Sequence, residues 1–185
     1  MSKKIVLALV AALAVAGAAS AQVTISGGFA LSAAELGGYD SDVGVGGNIY
    51  ADYLLPVGIP LSLGAEFGVD TSSLKESGLT ATVLAVPLLL RVAYHFDLMS
   101  KLDLYLVAKI GYVIFDIGGD VSAGESYGGV GFGFDVGAAY YFTSFVGAFA
   151  EVGFDRYNGG YKVDGGDSFD GSLNRFLTLG LSVKF

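Results

Sequence analysis

From residue 23 onward, apolar residues alternate with small or polar ones at a period of two, and few folds accommodate that pattern. Leu61, Leu63, Ala65, Phe67 and Val69 alternate with Ser62, Gly64, Glu66 and Gly68. Val130, Phe132, Phe134 and Val136 alternate with Gly131, Gly133, Asp135 and Gly137. Leu177, Leu179, Leu181, Val183 and Phe185 alternate with Thr178, Gly180, Ser182 and Lys184. Successive side chains of a strand point to opposite faces, so this period reads as strands with one apolar face each. Eight segments qualify, at about 23–34, 44–55, 61–70, 80–96, 102–115, 127–142, 145–155 and 174–185. Their connections alternate in length. Short ones lie near Pro56–Pro60, Asp97–Lys101 and Thr143–Ser144; longer ones, rich in Gly and Asp, lie at about 35–43, 71–79, 116–126 and 156–173.

An apolar face on every strand needs a cover. Apolar residues make up 53% of the chain and only 15% are charged, yet the opposite face of each strand carries Gly and small polar residues. Lipid supplies the cover. A helical span is excluded, because no stretch after the first 21 residues reaches 18 uninterrupted apolar positions; the longest, Val83 to Leu90, contains Pro87 and runs into Arg91. In lipid every backbone N–H and C=O must be paired within the protein, which leaves a closed sheet without edges. Bacterial barrels of this kind have an even strand number, short periplasmic turns, longer outer loops and spanning strands of about 9–11 residues. The expected fold is therefore all-β: a closed antiparallel up-and-down transmembrane β-barrel of eight strands.

The beginning of the chain has a different character. Met1-Ser2-Lys3-Lys4 precedes an apolar run from Ile5 to Ala18 and a small-residue site Ala19-Ser20-Ala21, the pattern of a cleavable secretory signal peptide. The expected division is a signal peptide at 1–21 and a barrel domain at 22–185. Without Cys the chain has no disulfide. Its formal net charge of −8 and the lack of a basic stripe exclude nucleic acid as a partner. Twelve acids fall in the four longer connections or on the strand residue just before them: Glu35, Asp40, Asp42, Asp70, Glu76, Asp116, Asp120, Glu125, Asp155, Asp164, Asp167 and Asp170.

The last strand, Leu177-x-Leu179-x-Leu181-x-Val183-x-Phe185, resembles the terminal signal by which bacterial outer-membrane barrels are handed to their assembly machinery. With the eight segments, the chain resembles the small barrels of the OmpA transmembrane-domain and OmpX type. Gly129-Val-Gly-Phe-Gly-Phe-Asp-Val-Gly-Ala-Ala-Tyr-Tyr-Phe142 is similar to a late strand of the broad outer-membrane β-barrel family. The resemblance implies residence in the bacterial outer membrane, lipid and lipopolysaccharide as surroundings, and Phe185 as the assembly signal. The chain has no Trp, so the interfacial girdles fall to Tyr and Phe: Tyr53, Tyr94, Phe96, Tyr112, Phe142, Phe154 and Phe185.

Five charged residues share the inward parity of consecutive strands: Glu66, Arg91, Lys109, Asp135 and Glu151. Counted from the short-turn ends, Glu66 and Arg91 are level, as are Lys109 and Asp135, with Lys109 the second partner in reach of Glu66. An eight-stranded barrel is just wide enough inside for side chains to fill it, so a salt-bridged plug is expected rather than a gated polar path. His95 is the only histidine, on the inward parity beside a short turn. Hydrolysis by a barrel would need it next to a Ser and an acid; its position argues against that, and no enzyme activity is expected. The run from Asp164 to Asp170 lacks the spacing and closing Glu of an EF-hand loop, so no metal is expected, nor any other cofactor. Gly129, Gly131, Gly133 and Gly137 are expected to leave room for larger side chains of neighbouring strands.

The functional expectation is a structural and surface-interaction protein, monomeric, with acidic outer loops. Those loops would meet host or environmental macromolecules, or lipopolysaccharide through divalent cations. The alternative is a narrow conduit for small solutes of the OmpW-like kind.

Overall fold

The computed structural model describes residues 22–36, 39–56, 58–76, 79–119, 124–163 and 168–185; the expected signal peptide lies outside them. The elements are β1 (Val23–Leu36), β2 (Tyr39–Asp40), β3 (Gly44–Leu54), β4 (Leu61–Glu76), β5 (Leu79–Met99), β6 (Leu102–Gly119), β7 (Gly124–Tyr141), β8 (Val146–Val163) and β9 (Ser168–Lys184). β2 is a two-residue strand that folds back on the end of β1. The other eight pair antiparallel in sequence order, and β9 returns to β1, with Thr24 opposite Lys184 and Leu31 opposite Leu177. The sheet is thus a closed eight-stranded barrel. Both ends of the described chain sit at the rim of the short turns, where the Phe185 N–H donates to the Val23 carbonyl at 2.8 Å.

The strand ends differ from expectation. Most of 71–79, 116–126 and 156–173 is strand, not loop: β4 runs to Glu76, β6 to Gly119 and β8 to Val163. β4 to β9 contain 16 to 21 residues, well above the roughly 9–11 that cross a bilayer. The wall therefore continues past the lipid on the side away from the termini. There the outward face meets water while the inward face still packs, as at Leu74 and Ile117. The outward positions turn polar, at Thr71, Ser73 and Asp116, so the apolar outer row fades while the strand persists.

The outward row is apolar and bare, with Phe134 73% exposed and Leu90 66%. At the short-turn rim the aromatic residues pair edge to face, Tyr94 with Phe96 at 5.0 Å and Tyr140 with Phe142 at 5.7 Å between ring centres. This is the geometry of an interfacial belt.

The lumen is filled in three layers. Nearest the short turns lie Tyr50, Ala93, Tyr105, Val107, Ala139, Tyr141 and Phe149. Farthest from them is an apolar cluster including Leu89, Val113, Phe115, Tyr157 and Leu173. Charged side chains occupy the level between. The glycines of β7 make this filling possible. A Cβ on Gly137 would run into the Tyr105 ring, one on Gly133 into the Asp155 carboxylate, and one on Gly131 into Val113, Leu89 and Tyr157.

Candidate functional site

Strand parity delivers the charged layer. On β5, Arg91 sits between inward Leu89 and Ala93; on β6, Lys109 follows inward Val107. All five charged residues picked out by parity are buried and brought together. Arg91 Nη1 lies 2.7 Å from Glu66 Oε2 and Arg91 Nη2 lies 2.6 Å from Glu151 Oε1. Lys109 Nζ touches Asp135 at 2.6 Å, Glu151 at 3.3 Å and Glu66 at 3.5 Å. The register, however, is slipped from the expected one. Glu66 is opposite Leu89 and Arg91 opposite Gly64; Lys109 is opposite Gly133 and Asp135 opposite Val107. Both pairs meet diagonally, two residues apart, because strands in a closed barrel are staggered by its shear. Long side chains bridge the diagonal.

Four further residues complete the layer. Asp52 lies 3.3 Å from Arg91 Nε, and Asp155 lies 2.9 Å from Lys109 Nζ. Arg175 bonds Asp70 at 2.6 Å and also bonds Glu66. Asp70 and Asp155, expected in outer loops, are instead buried in the lumen, on the same parity as Glu66 and Glu151 respectively. Their parity was available in the sequence; the misplaced strand ends hid it. Arg175 is a different case. Its odd position shares the parity of the outward Leu179 and Leu181. A bulge at Phe176 changes this, since Ser32 pairs with Arg175 while Leu31 pairs with Leu177. One extra residue flips every side chain beyond it to the other face, and that turns Arg175 inward.

The layer counts six carboxylates, Asp52, Glu66, Asp70, Asp135, Glu151 and Asp155, against three cations, Arg91, Lys109 and Arg175, among the described residues. Arg91 also stacks on Tyr50, its Cζ 3.7 Å from the ring centre. Tyr105 Oη donates to Glu151 at 3.0 Å. These two tyrosines separate the charged layer from a vestibule of about 260 Å³ at the short-turn rim. His95 faces this vestibule, hydrogen-bonded to Ser62 and to Asp103. Along the chain the nearest acid to His95 is Asp97; strand pairing of β5 with β4 and β6 brings Ser62 and Asp103 to it instead.

At the opposite end the Tyr127 hydroxyl donates to Asp170 at 2.8 Å, and this bond holds the phenol above its usual pKa. Of the run Asp164 to Asp170, residues 164–167 lie outside the described set. Among the described residues no group of three or more His, Asp or Glu is placed to hold a metal ion.

The family model for the outer membrane protein beta-barrel domain matches residues 5–185. The chain belongs to that family. It is a protein of the bacterial outer membrane. Solved structures with the same fold include Neisserial surface protein A, at 18% identity and TM-score 0.59, covering 88% of this chain and 97% of that one. Ail of Yersinia pestis, in complex with the heparin analogue sucrose octasulfate, is 15% identical with TM-score 0.58, covering 89% and 99%. OprG of Pseudomonas aeruginosa is 15% identical with TM-score 0.56, covering 89% and 95%. No curated protein matches the chain in sequence. In this barrel family member Phe185 is 68% exposed at the rim, continuing the outward row of β9.

Proposed function

We propose that this outer-membrane barrel has a structural and surface-interaction role, built on a lumen closed by its own side chains. The observation that carries the reading is the crossing of the lumen by ion pairs between strands that are not neighbours. Arg91 on β5 reaches Glu151 on β8, and Arg175 on β9 reaches Asp70 on β4. The side chains of Arg91 and Glu66 have no exposed surface, so the layer offers an ion no open path. Moving these groups aside would strand buried charges at several kcal/mol each.

The outer end would then carry the interaction. Its exposed residues include the carboxylates of Glu35, Asp42, Asp116 and Asp170. That surface suits cationic partners, or lipopolysaccharide phosphates bridged by divalent cations. It does not suit a polyanion of the kind bound in the Ail complex. Planar-bilayer recording of the refolded protein tests the closed lumen. No conductance above the bare membrane is expected; steady ohmic steps would replace this reading with the narrow conduit.

A further inference from the structure

The vestibule contains an arrangement that the closed lumen does not need. Ser62 at the start of β4, His95 on β5 and Asp103 on β6 form one hydrogen-bonded line. Ser62 Oγ lies 2.9 Å from His95 Nε2, and His95 Nδ1 lies 3.0 Å from both carboxylate oxygens of Asp103. All three line the same cavity. A His–Asp pair closing the rim would require nothing at the second ring nitrogen. Elsewhere on this wall Ser26 and Ser182 satisfy each other at 2.7 Å, whereas Ser62 turns its hydroxyl to the imidazole. The side chains of His95 and Asp103 are 19% and 18% exposed, whereas Ser62 is 2% exposed, so the base is reachable from the vestibule and an ester must settle against the wall to meet the hydroxyl.

We propose that Ser62, His95 and Asp103 are a nucleophile, general base and positioning residue that hydrolyse short-chain carboxylic esters entering from the periplasmic rim. The geometry meets what such chemistry asks of three side chains: nucleophile bonded to base, base bonded to an orienting carboxylate. Asp103 accepts from Nδ1–H, which leaves the Nε2 lone pair toward Ser62. The Ser62 Oγ–H proton passes to Nε2 as Oγ bonds to the ester carbonyl carbon, and the carbonyl oxygen becomes an oxyanion. Collapse breaks the carbon–alkoxide bond, and the departing alcohol takes the proton from Nε2. A water then enters, gives one proton to Nε2 and attacks the acyl-serine. Release of the acid returns the proton to Ser62.

The surroundings set the substrate. Lys184 is the only ammonium or guanidinium among the described residues lining the cavity; its Nζ lies 5.2 Å from the Tyr141 ring centre and would have to leave that ring to meet a developing oxyanion. The volume, about 260 Å³, lies just under the range of roughly 300–1,000 Å³ typical of small-molecule sites, which favours a short acyl group. Tyr50 and Tyr105 close the deep end, so substrate and products share one mouth, framed by Gln22, Leu54 and Pro60.

The test uses the folded full barrel in detergent, with folding checked for each variant by its heat-dependent gel shift. A short-chain alkyl fluorophosphonate should phosphonylate Ser62, located by peptide mass spectrometry, and the folded protein should hydrolyse p-nitrophenyl butyrate. Ser62→Ala should abolish both. His95→Asn should lower kcat by about a hundredfold or more. Asp103→Asn should lower kcat while KM stays unchanged, a split that loss of rim structure alone would not produce. A folded wild-type barrel with no adduct and no hydrolysis would overturn the proposal, as would an adduct confined to another residue, or Asp103→Asn raising KM with kcat intact.

Discussion

Lys109 is held by four carboxylates, Glu66, Asp135, Glu151 and Asp155, all within 3.5 Å of its Nζ. Such a crowd exists because acids outnumber bases in the layer, and each cation is shared. The imbalance makes the two signs unequal. Removing a cation leaves more carboxylates without a partner, whereas removing an acid relieves an excess. Breaking a buried pair from one side costs about 3–5 kcal/mol. Arg91→Met should reach that range in urea unfolding from lipid vesicles, and Glu66→Gln should cost less. The double variant should recover part of the loss, because Arg91 and Glu66 are bonded directly at 2.7 Å. Costs that simply add, or a costlier Glu66→Gln, would show that the ion pairs do not act as drawn.

β9 shows how one strand serves two environments. Below its bulge, Leu179 and Leu181 face lipid, while Thr178 and Ser182 are buried in the lumen. Above it, Leu173 and Arg175 face inward on the other parity. Leu179→Arg should therefore cost about 2–4 kcal/mol, the range for a cation near the bilayer midplane. Ser182→Arg, facing the vestibule, should cost less. The reverse order in vesicle unfolding would contradict the assigned faces. Phe185 extends the same outward row, and its backbone N–H bonds to the first strand. We propose that this residue serves as the assembly signal. Its deletion should lower outer-membrane levels in cells far more than it impairs refolding in micelles. Normal levels of the truncated protein would remove that role.

At the level of the whole molecule, closure is the main source of rigidity. Every strand of the wall has a partner on both sides, including β1 with β9, so no edge is left from which unfolding can spread. The interior adds ion pairs that tie together strands far apart in the wall. Opening the barrel must break both at once. The protein should therefore stay compact in cold detergent, migrating faster on a gel than the boiled form, with a β-type circular dichroism spectrum that is lost only on heating. Identical mobility before and after boiling would indicate that the wall does not close.

Period-two alternation by itself determined that the chain is a barrel, how many strands it has and which face of each meets lipid. That information is local: a side chain's face follows from its position along one strand. Glu66, Arg91, Lys109, Asp135 and Glu151 were found inside on that basis alone. Three things were decided only by the closed structure. Strand ends lay beyond the reach of the pattern, because outside the bilayer the outward face meets water and turns polar, as at Thr71, Ser73 and Asp116, so the apolar row that marks a strand is lost. Arg175 was hidden by the extra residue at Phe176, a bulge visible only when β9 is laid against β1 and β8. The line from Ser62 through His95 to Asp103 depends on the stagger of three adjacent strands. Stagger is a property of closure, so no single strand encodes it.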